Sequence, residues 1–583
     1  MLYLRAWPSI VGRMYLRETK RRNADGSEVA YLALAHNARD EKTGTPKAKI
    51  IHNFGRSDLV DREGLARLVR SISRFLDPAE AVVAASSGDL SIVDSRPMGA
   101  AYLADALWHR IGIADAIARV AAKRRVDPGL VERVIFAMVA NRLSVKPLSK
   151  LAGCTWVARR VYIEGLEALS DDACYRAMDL LMDALAELQE QVFFSVANLL
   201  NLEVDVLFFD TSSTYFELDR LAEELTSHDE GDDQEQEDLV ESGIRAWSKH
   251  SKDHRSDLPQ VVLGMAVTKE GIPVRVWTFE GTTSDQVIIR KVKDDLGAWG
   301  LHRVIWCLDR GFNSEKNRRY LQRAGGHYIV GERLRSDSID AKAALGRAGR
   351  YRSVDGNLGV KEVRVGTERF VVCHNPEQAR RDEIVRERII THLGERIAGS
   401  DNLSTNKRHE LYGALCTKPG LRRFLRLTPD GKLRIDKASI RQEAHFDGKF
   451  LLRSSDERLS AEEIALGYKA LYEAERGWRD LKSTIDLRPV FHRREDRIRA
   501  HVQLCWLALL LCRVAEVGTN DTWRNLRNEL ERLHLVTMAT NEGTVSQRSE
   551  LTPSQRSILS TLKVPEPPRF YDFTPAPEID ETS

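Results

Sequence analysis

The pattern of apolar residues predicts two buried β-strands that each end in an aspartate. Residues 206–209 are four consecutive large apolar residues followed by Asp210, and residues 304–308 lead in the same way into Asp309. Apolar residues on both faces predict strands that are covered on both sides. A carboxylate at the end of such a strand is costly to bury unless it is paired. We therefore expect one site, with two carboxylates, at the edge of one sheet.

The elements around these strands predict the topology of that sheet. Their order along the chain is strand, strand, strand, helix, strand, helix, strand, over residues 204–209, 259–269, 272–280, 286–296, 303–308, 314–323 and 327–330. This order is that of the ribonuclease-H-like fold, in which the first and fourth strands are parallel neighbours. By that analogy, Asp210 and Asp309 would lie next to each other.

The remaining pattern predicts a mixed α/β, multidomain chain. A small basic antiparallel sheet and a helix (residues 1–77) would bind DNA or serve only for packing, and residues 145–162 would form a helix-turn-helix or part of an ordinary bundle. The predicted segments are 1–77, a linker at 78–98, a helical domain at 99–201, the first part of the core at 202–332, a β-rich insertion at 333–456, completion of the core at 457–520, and a C-terminal helix with a disordered tail at 521–583.

Composition excludes several classes of protein but does not name a partner. The formal net charge of the 583 residues is only +2, although residues 220–242 are acidic, as in a mobile loop, and residues 245–255 and 476–499 are basic. Seven scattered cysteines without a C-x-x-C pair indicate neither a disulfide framework nor a zinc site. The longest apolar run, near residues 504–512, is too short to span a bilayer. We expect a cytoplasmic protein.

A predicted helix over residues 460–483 supplies a third carboxylate. It opens with a capping box, Ser460 with Glu463. Counting in helical steps places four polar side chains on one face. The simpler alternative is a surface helix with ion pairs. Two aspartates at strand ends in the same chain favour a functional site. The four side chains are those of Tyr468, Glu475, Arg479 and Lys482.

Three clustered carboxylates cannot all stay ionised without a cation, and hard oxygen ligands select Mg²⁺ or Mn²⁺. Two such ions, about 3.5–4 Å apart, can activate a water or a 3′-hydroxyl and stabilise the leaving oxygen of a phosphodiester. Basic side chains near the site would hold DNA phosphates, although some of them could equally form a solvated charged surface. These candidates are Arg479, Lys482, Lys252 and Arg255, continued by Arg488, Arg493, Arg494, Arg497 and Arg499. Trp478 would belong to the core or stack on a base, and Cys307 would be a buried apolar side chain.

Three motifs carry a resemblance to a known family. They are FFDTSSTYFE at residues 208–217, CLDRGFNS at residues 307–314, and the run Y-x₆-E-R-G-W-R-D-L-K that begins at Tyr468. Together they resemble the DDE transposases of bacterial insertion sequences. The group in question has a Y-x₂-R-x₃-E-x₆-K signature and a β-strand insertion in a ribonuclease-H-like core. The resemblance covers roughly residues 200–515.

The resemblance implies roles for individual residues. Asp210, Asp309 and Glu475 would be the catalytic metal ligands for two Mg²⁺ ions, which Mn²⁺ could replace. Tyr468 and Lys482 would contact DNA. The arginine of the signature falls on a leucine, Leu471, and Arg476 or Arg479 would then take its place.

The resemblance also implies a reaction and partners. The reaction would be hydrolysis at a transposon end, followed by attack of the freed 3′-hydroxyl on target DNA. The partners would be double-stranded DNA at the transposon ends and the target, and a second copy of the chain in a homodimer, with the protein associated with the nucleoid when bound. Two alternatives are a nuclease of the same fold without strand transfer, and a non-catalytic DNA-binding derivative of a transposase.

Overall fold

A computed structural model describes most of the chain. The described residues are 14–23, 28–39, 46–62, 64–65, 68, 91–202, 204–216, 244–247, 252–253, 255, 257–335, 338–354, 356–488, 490, 492, 494–540 and 543–575. They divide into two compact units: Met1–Asp94 with Thr537–Ser546 and Asp572–Ser583, and Ser95–Val536 with Gln547–Tyr571. The predicted acidic loop at 220–242 lies outside the described residues.

The first unit contains the basic antiparallel sheet that the sequence predicts. Its strands are β1 (Met14–Arg22), β2 (Glu28–Arg39) and β3 (Pro46–Arg56), paired in that order. Alternate residues of β2, Ala33 and Ala35, are buried, as expected of a strand with one covered face. The helix predicted after this sheet falls mostly outside the described residues.

The second unit begins with a helical region. Ser170 caps the longest of its helices through its side chain. Gly153, which would have formed the turn of a helix-turn-helix, lies inside a helix and its neighbours are helical, so that alternative is wrong and the bundle is the better description. The helices are α1 (Gly99–Arg110), α2 (Ile113–Lys123), α3 (Pro128–Leu143), α4 (Lys150–Arg160) and α5 (Asp171–Leu200).

A nine-stranded sheet forms the centre of the second unit. Its strands and helices up to residue 332 are β5 (Val206–Tyr215), β6 (Gln260–Val267), β7 (Pro273–Glu280), α6 (Asp285–Gly297), β8 (Ile305–Leu308), α7 (Glu315–Leu321) and β9 (His327–Glu332). They lie in the order β7-β6-β5-β8-β9. The strand β5 is antiparallel to β6 and parallel to β8, and β8 is parallel to β9. The first and fourth strands are thus parallel neighbours, as the analogy required.

The inserted segment extends this sheet and is not largely β. Four of its strands continue the sheet beyond β9 in the order β15-β12-β11-β10. Between them lies a helical part built on a 22-residue helix and several shorter helices. The elements are α8 (Ile339–Gly346), β10 (Arg352–Val354), β11 (Leu358–Val365), β12 (Glu368–His374), α9 (Pro376–Ile397), α10 (Thr405–Cys416), α11 (Pro419–Arg422), β13 (Leu425–Leu427), β14 (Leu433–Ile435), α12 (Lys437–Ala444) and β15 (Lys449–Ser454).

The helix predicted over residues 460–483 is two helices. The first, α13 (Ala461–Lys469), begins with the predicted capping box of Ser460 and Glu463. The second, α14 (Tyr472–Ser483), begins after Leu471, whose side chain is buried. The break directs α13 and α14 to different parts of the sheet. The next helix, α15 (Glu495–Thr519), is apolar and long enough to cross a membrane, but 78% of its apolar window is buried inside the protein.

The C-terminal region is more ordered than predicted. It contains α16 (Trp523–Leu530), β16 (His534–Thr540), β17 (Gly543–Arg548), α17 (Pro553–Thr561) and β18 (Phe570–Pro575). A four-stranded sheet has the order β18-β17-β16-β4, with β4 (Ser91–Pro97) inside the predicted linker. The predicted disordered tail at the end of the chain is therefore wrong for residues 570–575, which pair with the other strands of this sheet.

Gly264 on β6 offers a test of how tightly the sheet packs behind the predicted site. A Cβ at this position would lie 2.8 Å from Cζ of Phe209, the neighbour of Asp210 in β5. We expect Gly264→Ala to lower the free energy of unfolding by about 1–3 kcal/mol, because a packed ring must move. The measurement is the thermal unfolding midpoint. The control, Gly413→Ala in α10, meets nothing within 4 Å and should be neutral or slightly stabilising. Equal midpoints for the two variants would contradict this packing.

Candidate active site

Two aspartates occupy equivalent positions on neighbouring parallel strands. Phe209 of β5 pairs with Leu308 of β8. The residues that follow them are Asp210 and Asp309. Asp309 precedes the short 3₁₀ turn Arg310–Phe312 and directly follows the end of β8 at Leu308, whereas β5 continues past Asp210 to Tyr215. The parallel pairing of the two strands ends directly before the two aspartates. The structure thus brings together the two acids that the strand pattern singled out.

Burial sets the electrostatics of Asp210. The pKa of this carboxyl is raised from 3.8 to about 6, mainly by burial and to a smaller extent by the nearby carboxylates of Asp309 and Asp285, whereas the Lys252 ammonium opposes the rise. A buried acid among other acids favours its neutral form unless a cation is present. The electrostatic environment of Asp210 therefore suits a cation-binding position.

Asp285 is a third acid at this edge, which the sequence did not single out. Its Oδ1 accepts a hydrogen bond of 2.6 Å from the Thr211 hydroxyl, and its Oδ2 lies 3.5 Å from the Lys252 ammonium. A Cβ on Gly311 would come within 3.0 Å of the same carboxylate, so the glycine leaves room for it. Asp285 is the first residue of α6. Its position after a predicted strand and turn is the feature of the sequence that could have identified it.

Tyr468 contacts the site despite the break in the predicted helix. Its hydroxyl donates a hydrogen bond of 3.2 Å to Oδ1 of Asp309. Burial, and then the Asp309 charge, raise the pKa of Tyr468, so the phenol stays protonated and remains a donor. The side chain also stacks on Phe450 of β15, with the ring centroids 6.2 Å apart. The tyrosine therefore orients a carboxylate of the site.

Glu475 lies on the helix that covers the Asp210 position of the sheet. Asp210 pairs across the strands with Met265 of β6, and a Cβ on Gly477 of α14 would lie 2.5 Å from Cε of Met265. The glycine thus lets α14 approach this position closely, half a turn from Glu475. The Glu475 side chain itself is exposed. Within the described part of the chain, no three His, Cys, Asp or Glu side chains are grouped closely enough to hold a metal ion.

Arg476 and Arg479, the candidates for the missing signature arginine, have different surroundings. Arg476 is bound to Glu516 of α15 at 2.8 Å, and so ties the two helices together. Arg479 is exposed, donates a hydrogen bond of 3.3 Å to the Tyr472 hydroxyl, and lies over that ring. Leu471 is buried in the core, where an arginine would need a partner. A DNA contact by either arginine remains a prediction.

The other predicted DNA-binding residues are mostly paired within the protein. The Lys482 ammonium lies 2.8 Å from Asp253, and the Lys252 ammonium donates a hydrogen bond of 2.9 Å to the Thr211 carbonyl. Arg255 pairs with Asp257 at 2.9 Å and Arg494 with Asp496 at 2.7 Å. Arg493 lies outside the described residues.

Two further expectations from the sequence are confirmed. The ring of Trp478 is buried in the core between α14 and its neighbours, so it is not available to stack on a base. Cys307 is fully buried, and burial raises the pKa of its thiol, as expected of an apolar side chain without a chemical role.

Comparisons with known proteins agree with the resemblance seen in the motifs. The model of the IS1634 family transposase N-terminal domain matches residues 16–82. The model of the transposase DDE domain matches residues 225–511, a range that includes Asp309 and Glu475 and begins after Asp210. No curated protein matches the chain.

A solved structure, described as the piggyBac transposase synaptic complex with hairpin DNA, is similar to the chain at 11% identity. The similarity covers 73% of this chain and 77% of that one, with a TM-score of 0.35. Family membership rests on the two domain matches, one in the N-terminal region and one in the region that carries the motifs. The chain is a DDE transposase of the bacterial insertion-sequence type, a DNA-cleaving and strand-transferring enzyme of DNA transposition.

Proposed function

We propose that Asp210, Asp309 and Glu475 form the catalytic metal site of this transposase, within a ribonuclease-H-like core. The observation that carries the proposal is the parallel pairing of β5 with β8, which puts two aspartates at one sheet edge. Dependence on a divalent metal follows from the DDE class. The carboxylate oxygens fit two Mg²⁺ ions, with Mn²⁺ as a substitute.

The residues of the chain have separate tasks in this proposal. When bound, the metal would polarise the scissile phosphate and activate the attacking hydroxyl. Asp210 and Asp309 hold fixed positions because their strands are buried. Tyr468 keeps the Asp309 carboxylate in one orientation. Glu475 is carried by a helix on the surface of the core and completes the site by a movement of its exposed side chain.

The same proposal covers the partners. Double-stranded DNA is the substrate, with a transposon end and a target segment reaching the sheet edge in turn. We propose a homodimer as the unit that holds two transposon ends together. The mass of the complex with end DNA, measured by light scattering, tests this part independently of catalysis.

Neutralising each acid tests the metal site. We expect Asp210→Asn, Asp309→Asn and Glu475→Gln each to abolish cleavage of a duplex carrying the element's own end, with Mg²⁺ or Mn²⁺, while DNA binding persists. The reason is that each change removes a hard oxygen ligand. The control is Glu383→Gln on α9, an exposed residue that should cleave normally. Normal cleavage by Glu475→Gln would show that Glu475 is not the third metal ligand. DNA binding without cleavage by the unmodified protein would favour the non-catalytic alternative.

Strand transfer separates the transposase from a nuclease of the same fold. Because hydrolysis and joining use the same site, we expect the pre-cleaved end to join to a target plasmid with the same metal requirement as cleavage. Products would be resolved on gels with a labelled end. Cleavage without any joined product would support the nuclease alternative.

The raised pKa of Asp210 predicts a dependence of stability on pH in the absence of metal. The folded pKa is about 6 and the ordinary value 3.8, so the folded protein binds the proton more tightly between these values. The contribution of this group to stability therefore falls as pH rises from about 4 to 6. In EDTA at pH 7 we expect Asp210→Asn to be more stable than the unmodified protein, by on the order of 1–3 kcal/mol, and equal to it below pH 4.

Thermal unfolding across this pH range provides the measurement. Adding Mg²⁺ at pH 7 should raise the midpoint of the unmodified protein and not that of Asp210→Asn, since bound metal stabilises only the form that binds it. A midpoint difference that does not change with pH would show that Asp210 keeps its ordinary pKa.

Tyr468→Phe tests whether this tyrosine positions Asp309 or contacts DNA. Loss of the hydroxyl removes the donor to Oδ1 of Asp309. We expect unchanged DNA affinity and single-turnover cleavage slower by about 10-fold, the usual size of an effect on a ligand's hydrogen-bond partner. Tyr351→Phe, which removes the hydroxyl of a partly exposed tyrosine in the inserted segment, is the control. Weaker binding with normal cleavage of bound DNA would make Tyr468 a DNA contact.

A further inference from the structure

Lys252, Asp253 and Arg255 contact residues of β5. Those residues, Thr211, Ser213 and Tyr215, share one face of the strand, since successive residues of a strand point to opposite sides. Lys252 donates a hydrogen bond of 2.9 Å to the Thr211 carbonyl, and the Arg255 guanidinium lies 5.0 Å from the centre of the Tyr215 ring. The carboxylate of Asp253, which lies between Lys252 and Arg255 in the sequence, accepts a hydrogen bond from the Ser213 hydroxyl.

Asp253 is surrounded by donors from three parts of the chain. Its Oδ1 lies 2.8 Å from the Lys482 ammonium at the end of α14. Its Oδ2 lies 3.2 Å from a guanidinium nitrogen of Arg488 and accepts a hydrogen bond of 3.4 Å from the Ser213 hydroxyl. Only 12% of the Asp253 side chain is exposed. Two cations and a hydroxyl thus converge on one anionic group.

This donor set suits a phosphate as well as it suits a carboxylate. Arginine and lysine beside a hydroxyl form charge-assisted hydrogen bonds to either anion. The Arg488 guanidinium is also held from the side, because it lies 5.0 Å from the centre of the Tyr215 ring. Both cations are therefore in place before any ligand arrives, and Asp253 neutralises only one of their two charges.

The position of this cluster connects it to the catalytic edge. Asp253 directly follows Lys252, whose ammonium acts on the Asp210 carboxyl, and Lys482 is seven residues beyond Glu475 on α14. A DNA strand whose scissile phosphate lies at the aspartates would carry other phosphates past this cluster. Lys482 can pair fully with one of these phosphates only if the Asp253 carboxylate moves away from its ammonium group.

We propose that Lys482, Arg488 and Ser213 form a binding site for one backbone phosphate of DNA, which the Asp253 carboxylate occupies in the DNA-free protein and leaves when DNA binds. The inference rests on the proposed function, because it takes DNA to be the substrate at this sheet edge. It adds Ser213 to the residues that bind DNA and places Arg488 and Lys482 on the same phosphate. It also gives Asp253 the role of an internal competitor that weakens binding to DNA of low affinity.

Removing the competitor should strengthen DNA binding. We expect Asp253→Asn to raise the affinity for an end-carrying duplex in EDTA on the order of 10-fold at low salt, because the phosphate no longer displaces a charged group. The slope of log K against log salt concentration should change little, because both proteins neutralise the same number of phosphates and release the same DNA counterions. Fluorescence anisotropy over a salt series measures both quantities without any cleavage.

A matched control separates displacement from a general loss of negative charge. Asp257→Asn removes a carboxylate of the same segment, one that is exposed and pairs with Arg255 and not with Lys482. We expect it to change the affinity by less than twofold. Lys482→Met and Arg488→Met should each weaken binding, and Asp253→Asn should have little effect in either background, because groups that act together are not additive.

Several outcomes would overturn the inference. If Asp253→Asn weakens binding, the carboxylate is a fixed support that orients Lys482 and Arg488. If it strengthens binding equally in the Lys482→Met background, or no more than Asp257→Asn does, the effect is general electrostatics. Asp253→Ser, which also removes the charge, repeats the test should the asparagine variant be unstable.

Failure of the inference can be told from failure of the proposed function. Loss of cleavage in the three acid variants supports the metal site whatever Asp253 does. Conversely, a gain in affinity by Asp253→Asn in a protein that never cuts DNA would support the phosphate site and leave the catalytic proposal without support.

Discussion

The parallel pairing of β5 with β8 is the constraint on which the rest of the site depends. It places two carboxylates at adjacent positions in a region that raises the pKa of one of them. Like charges so close together are unfavourable unless something offsets them. The surroundings offset them in part: Lys252 lies near Asp210, and the Tyr468 hydroxyl donates to Asp309. The remaining imbalance is what a divalent cation would relieve.

Much of this arrangement could be predicted because its signals are local. An apolar run that leads into an aspartate identifies a buried strand, and both strands lie in the predicted regions, although β5 continues to Tyr215 instead of ending at Asp210. The pairing of β5 with β8 is not local, and only the order of elements, by analogy, indicated it. The β-rich character of residues 333–456 was overestimated, since the strands there join the central sheet while a separate group of helices packs on its own small core.

The parts that could not be predicted depend on contacts between distant residues. Helical spacing across residues 460–483 gave one continuous face, but burial of Leu471 and the change of direction after Lys469 divide it. The hydrogen bond from Tyr468 to Asp309 therefore does not follow from the single helix that was predicted. Asp285 and Asp253 carry no recognisable motif. Their importance comes from partners far away in sequence, Thr211 and Lys482 respectively.

The ion pairs of the predicted DNA-binding residues differ in how readily a DNA phosphate can replace the carboxylate. Arg494 with Asp496 and Arg255 with Asp257 are exposed, and such pairs contribute little to stability, so a phosphate can replace the carboxylate at little cost. Asp253 is different, since it is mostly buried between two cations. Displacing it breaks its ion pairs with two largely buried cations, and only a ligand of equal charge in the same place can offset that loss. Weakly held DNA therefore competes poorly at Lys482, whereas a strand fixed by further contacts at the sheet edge can complete the exchange.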